Sequence, residues 1–447
     1  MAQKILVQGR RGERGQTIVL VAVSILSLLA MAALAVDVIT LYVAKGQIQH
    51  AADAAALAGA KAFVESTITS VPPGDPSYAT LQTIAQNIAC PDATCSSGYI
   101  GQALTQNPVS GSPAVISSHA YDWTYPGNPR ITVSLQRTNL PIFFARIWSS
   151  ALASVSATAT AEAYNPWNSQ TQTGALIPVA PQCVKPILVS NSGPGDSGAT
   201  NLSTPFVNKT DGTPAHPGIA PSGGGGFAGS GGFIGQEIIL SYQSCVSGPK
   251  PCVPYLPQVV SGTPNFPSAC STGTQYEQSV ASCEGKLYDF SQCGESATAA
   301  NVDPADPSGS GGATQTGAQC LIHATGPGLG NGQDVLDISD FLNDLAPPPP
   351  IQIQAGNYSN TKLGVAIGSP ISTSDSIVTL PIYTNRVGNT VTIVGFLHAF
   401  VNSTGPANGD LDVTILNVAG CGPGSAIVPA VSGGGISPVP VRLITPP

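Results

Sequence analysis

The sequence predicts an α+β protein. One long N-terminal helix crosses a membrane and continues out of it, and a β-rich, disulfide-containing extracytoplasmic region follows. Three observations carry this expectation. Residues 17–36 contain no charged side chain, and a helix of that length is roughly 30 Å long, the thickness of a bilayer's hydrocarbon core. The chain has 10 cysteines, and all but Cys421 lie between Cys90 and Cys320, which suits an oxidising compartment. Several later runs alternate apolar and polar residues between turn formers, Arg130-Ile-Thr-Val-Ser-Leu-Gln-Arg137 being the cleanest.

Residues 1–15 form a short tail. Lys4, Arg10, Arg11 and Arg14 there are opposed only by Glu13, so the positive-inside rule predicts a cytoplasmic N-terminus and places everything after residue 37 outside the cytoplasm. Residues 16–66 are expected as the transmembrane helix and its extension, because Asp37 to Lys61 is rich in helix formers and has no proline. Beyond the membrane, Leu41, Ile48, Ala52, Ala55, Gly59 and Ala62 recur at helical spacing. Ala51, Ala52, Ala55, Ala58, Gly59 and Ala62 give a nearly smooth packing face that lets a neighbour approach closely, either a second chain or this chain's own β-region.

Residues 67–165 are expected to form a small α+β domain. Val71-Pro-Pro-Gly-Asp-Pro76 breaks the long helix, and Tyr78–Ala89 reads as an amphipathic helix. Strands are expected at Ala114–Ile116, Arg130–Arg137 and Ala153–Ala163. The apolar segment Leu140–Trp148 is too short to span a bilayer and reads as a core helix. Residues 166–232 are a Gly/Ser/Pro-rich loop or linker, with strand composition at Ala175–Ala180 and Val184–Val189. Residues 233–345 form a cysteine-rich segment, opened by a strand at Gln236–Tyr242 and closed by a helix at Asp334–Leu345 that Pro347–Pro350 stops. Residues 346–447 read as an antiparallel β-domain of five strands, near 351–354, 376–383, 390–401, 410–418 and 439–444.

Composition excludes several function classes. Charged residues make up 9% of the chain, against roughly 25% in ordinary soluble domains. The net charge is −8 and no basic run occurs beyond residue 14, so a phosphate backbone has nothing to neutralise it and no nucleic-acid partner is expected. Cys90 with Cys95, and Cys245 with Cys252, are close enough to close small loops. Cys183, Cys270, Cys283, Cys293, Cys320 and Cys421 have several possible pairings. Disulfides are expected in preference to zinc, because no C-x-x-C pair occurs and no histidine neighbours a cysteine cluster in sequence.

His50, His119, His216, His323 and His398 are dispersed, without an H-E-x-x-H or G-x-S-x-G motif. Asp306-Pro-Ser-Gly-Ser310 fits D-x-S-x-S but lacks a preceding apolar strand, and reads as a solvated loop. Residues 330–340 miss the calcium-loop register, which leaves cap and surface roles for Asp334, Asp337 and Asp340. The glycines at 223–226 lack the Lys-Ser/Thr of a phosphate cradle. The sequons at Asn201, Asn208, Asn357 and Asn402 mark surface loops at most. No catalytic, cofactor-binding or metal-binding residue and no small-molecule substrate is expected, so the chain reads as a non-enzyme.

Glu13-Arg-Gly-Gln-Thr17, the apolar run ending in Ala35-Val-Asp37, and Gln49-His-Ala-Ala-Asp-Ala-Ala-Ala-Leu-Ala-Gly-Ala60 together resemble the N-terminal module of TadE/TadG-like proteins of the tight-adherence (Flp) pilus-assembly system. Phe143-Phe-Ala-Arg-Ile-Trp148, Val155–Ala163 and Ile393–Phe400 are similar to stretches in the same kind of protein. The resemblance implies a structural protein of the bacterial inner membrane. It would be single-pass, embedded in lipid through residues 17–36, with its bulk periplasmic or extracellular and with protein partners in a pilus-assembly machine.

A cleavable prepilin would carry Glu five residues after Gly15, where this chain has Leu20, so a retained anchor is the expectation. Two alternatives are a pseudopilin-like adhesin subunit processed at Gly15, and a secreted hydrolase cleaved at the small-x-small site Ala33-Leu-Ala35. The apolar run is longer than the 7 to 15 residues of a signal-peptide core, and the helical pattern runs through that site.

Overall fold

The structure is a computed structural model. It describes residues 13–108, 114–124, 128–140, 153–165, 179–180, 183–191, 205–209, 212–220, 232–242, 245, 250–258, 260, 273–282, 299–301, 311–324, 332–338, 351–371, 373–387, 390–405, 409–420, 431–432, 439 and 441–444. The helices are α1 (Glu13–Glu65), α2 (Tyr78–Ala89), α3 (Tyr99–Gln106), α4 (Gln275–Ala281), α5 (Gly312–Leu321) and α6 (Asn357–Leu363). The strands are β1 (Val115–Asp122), β2 (Arg130–Leu140), β3 (Ala153–Ala163), β4 (Val179–Ala180), β5 (Ile187–Ser190), β6 (Glu237–Tyr242), β7 (Cys252–Pro257) and β8 (Ala299–Asn301). They continue with β9 (Val335–Asp337), β10 (Gln352–Gln354), β11 (Pro370–Ile371), β12 (Ile377–Val387), β13 (Thr390–Thr404), β14 (Leu411–Gly420), β15 (Val431–Ser432) and β16 (Val441–Ile444).

α1 runs unbroken for 53 residues, as its proline-free, alanine-rich sequence requires. It ends just before Thr67, whose φ of 66° lies in the left-handed region, a conformation that usually falls to glycine at a helix C-terminus. Its second half lies on an antiparallel sheet of order β1-β2-β3-β16. On the inner face of that sheet, Ile131, Val133 and Leu135 of β2 alternate with outward residues, as do Ala157, Ala159, Ala161 and Ala163 of β3. Thr132 with Thr160, and Ser134 with Thr158, make hydroxyl pairs at 2.9 Å between these two strands. Ala153–Ala163 is therefore a strand of small residues facing a helix of small residues.

The larger sheet has the order β12-β5-β7-β6-β14-β13-β8, and β12 also pairs with β13. The pairings thus close on themselves. β12, β5, β7, β6, β14 and β13 form a six-stranded barrel, with β8 attached to the outer part of β13. Val189, Leu240, Tyr255, Ile382 and Val413 are all buried in its core. A three-stranded sheet, β11-β10-β9, lies beside it, and β4 pairs with β15 in parallel.

Several sequence expectations need correction. The five strands at 351–444 are expected from sequence as one antiparallel domain, yet β16 pairs with β3, through Arg442 opposite Glu162. The barrel takes β5, β6 and β7 from the segments read as linker and cysteine-rich, and contains two parallel pairs, β12–β5 and β6–β7. Strand composition identifies strands and does not identify their partners. Within Asp334–Leu345, Val335–Asp337 is strand β9 and not helix, because it pairs with β10, while 339–345 lies outside the described residues. The strand begun at Ala114–Ile116 extends to Asp122; its exposed edge position requires no apolar alternation. Asn402 lies within β13 and donates to Thr414 Oγ1 at 2.9 Å, so this sequon is not in a loop. Leu140–Trp148 falls outside the described residues except for Leu140, as do 221–231, Asp306–Ser310, Asn201 and Asp340.

Candidate membrane anchor and its packing site

The first half of α1 is bare. Ile18, Leu20, Leu26, Leu29, Met31 and Leu34 are at least 60% exposed, and large apolar side chains other than the half-buried Leu41 stay exposed as far as Val43. Asp37 is the exception, at 3%. α1 alone, among the described residues, is long and apolar enough to cross a membrane, and none of its most apolar window is covered by the rest of the protein. Leaving such a surface in water is costly at about 25 cal/mol per Å2, so a bilayer or neighbouring apolar helices must cover it.

From Ala44 onward one face of the same helix is buried. Ile48, Ala51, Ala52, Ala55, Ala56, Gly59, Ala60, Ala62 and Phe63 pack into the first core, and Ala58 is half-buried at a groove described below. The close neighbour that the small residues admit is this chain's own sheet. A Cβ placed on Gly59 would lie 2.9 Å from Ile131 Cδ1 and 3.3 Å from Ile100 Cγ1, inside the 3.5–4.0 Å at which carbon atoms settle. Polar side chains on the flank of α1 reach the same sheet. Lys45 Nζ donates to the Ser156 carbonyl, and Gln49 Nε2 donates to the Thr158 carbonyl at 3.3 Å. At the far end Phe63 meets the edges of Tyr121 and Trp123, with ring centroids 6.3 and 5.3 Å away.

Two buried polar clusters fix this unit to the rest of the chain. Glu162 on β3 is 1% exposed. It accepts from Arg130 Nε at 3.0 Å and from Arg442 Nε at 2.7 Å, and Arg442 also lies over the Tyr164 ring at 4.9 Å. The charge is thus neutralised from both neighbouring strands, which clips β16 to the sheet. At the exit of α1, Ser70 Oγ donates to the Val418 carbonyl at 3.1 Å and accepts from its N–H at 3.2 Å. Asn165 Nδ2 donates to the Thr69 carbonyl at 3.0 Å, and Asn417 Nδ2 to Thr69 Oγ1 at 3.1 Å. These residues are buried, and they tie the helix exit and the end of β3 to barrel strand β14.

A half-open groove of about 810 Å3 lies between the end of α1 and the sheets of the second half. Leu57, Val64, Ile353, Leu416 and Val441 contribute to its walls, together with Lys61 and Glu65. Lys61 Nζ is 3.1 Å from Glu65 Oε1, and the Tyr99 hydroxyl donates to the same carboxylate. Burial pushes the Glu65 carboxyl up, against the pull of Lys61 and Tyr99. Burial, with the Glu65 charge beside it, pushes the Tyr99 phenol up.

The remaining candidate residues divide as follows. Cys90–Cys95 and Cys245–Cys252 are disulfides, closing the two short loops that their spacing permits. Cys183 and Cys320 are also disulfide-bonded, and Cys270, Cys283, Cys293 and Cys421 lie outside the described residues. The premise that no histidine neighbours a cysteine pair holds in sequence and fails in space, since His119 Nδ1 lies 3.8 Å from Cys95 Sγ and 4.0 Å from Cys90 Sγ.

Asp334 is a buried hub at the start of α6. It accepts from Gly356 N–H at 2.8 Å, Ser359 Oγ at 2.9 Å and Ser374 Oγ at 2.5 Å. Asp337 accepts from Gln354 at 3.2 Å. His323 pairs with Asp375 at 3.1 Å, and that hydrogen bond, with Lys362 nearby, holds the Asp375 carboxyl below the usual range. Lys185, whose Nζ donates to the Ser282 carbonyl, is pushed down to about 7 by burial, with Asp375 opposing. His398 is pushed down to about 4 by burial, and its Nε2 has no hydrogen-bond partner among the described residues.

Residues 15–62 match the model of a family described as Tad, putative Flp pilus-assembly TadE/G-like. No curated protein and no solved structure matches the chain. The matched residues include both the bare apolar half of α1 and the small-residue face that Ile131 meets, so this chain carries at its N-terminus a TadE/G-like module of the putative Flp pilus-assembly family.

Proposed function

We propose that the protein is a non-enzymatic, bitopic membrane anchor that assembles or holds a tight-adherence pilus. Its N-terminus lies in the cytoplasm of a bacterium and its bulk lies beyond the inner membrane. The observation that carries this reading is the division of α1, a single helix bare over its first half and packed on the sheet over its second. A continuous helix transmits position without a hinge, and the Asn165–Thr69–Asn417 cluster fixes its exit to the barrel. The extracytoplasmic mass is therefore held at a set distance and orientation above the bilayer, as a scaffold for protein partners requires. The basic residues ahead of the apolar run support the orientation.

A second reading rests on the same bare surface, which neighbouring helices in a fibre would cover as well as lipid does. In that case the protein is a pseudopilin-like subunit. A strain lacking the gene, complemented with a version whose residues 17–36 are replaced by a cleavable signal peptide, tests the anchor. Loss of surface pili despite normal export of the soluble protein is expected. Normal pili would overturn the reading.

A further inference from the structure

The geometry points to a redox-gated metal site at Cys90, Cys95 and His119, which takes one thiophilic divalent cation of the zinc class when the disulfide is reduced. The three candidate ligand atoms all lie within 4.8 Å of one another. In a tetrahedral zinc site, bonds of about 2.3 Å to sulfur and about 2.0 Å to nitrogen put the nitrogen roughly 3.6 Å from each sulfur. His119 Nδ1 is already 3.8 and 4.0 Å from the two sulfurs. The imidazole is therefore placed for the ion while the sulfurs are still joined. The two Cα atoms are 4.3 Å apart, so the sulfurs can separate by side-chain rotation without backbone movement.

The elements hold this arrangement from two sides. Cys90 caps the end of α2, and the loop from Pro91 to Thr94 is exposed, which gives an ion a path in. His119 projects from edge strand β1 and touches the Tyr121 ring at 5.7 Å between centroids. Asp92 is occupied by Thr94 and Ser96, whose hydroxyls donate to its carboxylate at 2.5 and 2.8 Å. The protein thus offers three ligands and leaves the fourth position to water.

The chemistry balances with one co-reactant, a dithiol reductant. Thiol–disulfide exchange transfers two electrons and two protons from it to the bridge, giving Cys90 and Cys95 as thiols and the reductant as its disulfide. The cation then displaces both thiol protons and binds the two thiolates and the neutral imidazole.

The test uses the full chain in detergent, reduced by a phosphine that is then removed, and titrated anaerobically with Co2+ followed by Zn2+. All ten cysteines are then available, so variants assign the binding. Wild type is expected to bind one Co2+ with the visible absorption of tetrahedral thiolate coordination, and Zn2+ should displace it. Cys245→Ser/Cys252→Ser should keep that site and Cys90→Ser/Cys95→Ser should lose it. His119→Gln leaves the bridge and its folding intact, so it decides the case if the double cysteine variant misfolds. It should weaken binding by about tenfold or more, a loss that even an indirect supporting group costs a metal site. Absence of Co2+ binding by reduced wild type, or binding unaffected by His119→Gln, overturns the proposal.

Discussion

Gly59 is where the packing of α1 on its sheet can be tested most sharply. A Cβ there meets Ile131 Cδ1 at 2.9 Å and Ile131 Cγ2 at 3.2 Å, so alanine requires a shift of at least about half an ångström by a flexible side-chain end. Replacing a helical glycine by alanine gains about 1 kcal/mol in propensity, and the two effects nearly cancel. Gly59→Ala is therefore expected to change stability by less than about 1 kcal/mol. Leucine adds three more carbons where Ile131 and Ile100 already stand, and overpacking of that kind costs about 1–3 kcal/mol. Ile131→Val removes the atom in closest contact, and although it costs about 0.5–1.5 kcal/mol alone, it should cost less beside Gly59→Ala. The coupling is expected at about 0.5–1 kcal/mol. Urea unfolding of the full chain in detergent reads all four variants, with fluorescence from Trp123, which packs on Phe63 of α1. A Gly59→Leu variant as stable as wild type, or no coupling to Ile131, would refute the intramolecular packing. A cysteine introduced at position 59 should likewise give no intermolecular crosslink.

Three further outcomes follow from the buried groups. Glu162→Gln removes the charge that two arginines share and should cost about 3 kcal/mol, with β16 losing amide-exchange protection first; unchanged protection at 441–444 would contradict the clip. The His398 pKa is lowered from 6.5 to about 4 in the folded protein, so the unfolded chain binds the extra proton first as pH falls. Stability is fully present above pH 6.5 and should fall by about 3 kcal/mol down to pH 4. His398→Leu should remove that segment of the acid profile, and an unchanged profile would show that another group carries it. The cysteines should be mostly unreactive to thiol reagents in native protein and reactive after reduction; ten free thiols by mass spectrometry would contradict the bridges.

How much of this was legible in the sequence depended on whether the signal was local. The uncharged run, the helix through Ala51–Ala62 and the alternation of Arg130–Arg137 are local patterns, and the corresponding elements are present. The spacing of Cys90 with Cys95 and of Cys245 with Cys252 permits the two short disulfide loops that form, without fixing the connectivity. Pairing was not legible, because β16 meets β3 across 280 residues at Arg442 and Glu162, and the barrel closes between strands far apart in sequence. His119 was missed for the same reason, since it reaches Cys95 from 24 residues away. One further helix start carries a local signature in the sequence. Thr274 and Glu277 form a capping box at the start of α4, with Thr274 N–H donating to Glu277 Oε2 at 2.8 Å, and T-x-x-E is its sequence signature. Asp334 reads as a helix cap, and it does serve α6, but through the chain turn at Gly356 and not through residues that follow it directly.

The division of α1 into a membrane half and a packed half is tested most directly by the mass and partition of the native protein. Membranes from the native host are washed with carbonate, spheroplasts are treated with external protease, and the intact protein is weighed. The account predicts a chain with residues 17–36 still attached, retained in the washed membranes, and degraded from outside down to a fragment containing the apolar run. A soluble protein beginning after Ala35 would contradict it, and a chain beginning after Gly15 and recovered in fibres would transfer the same helix to the pilus itself.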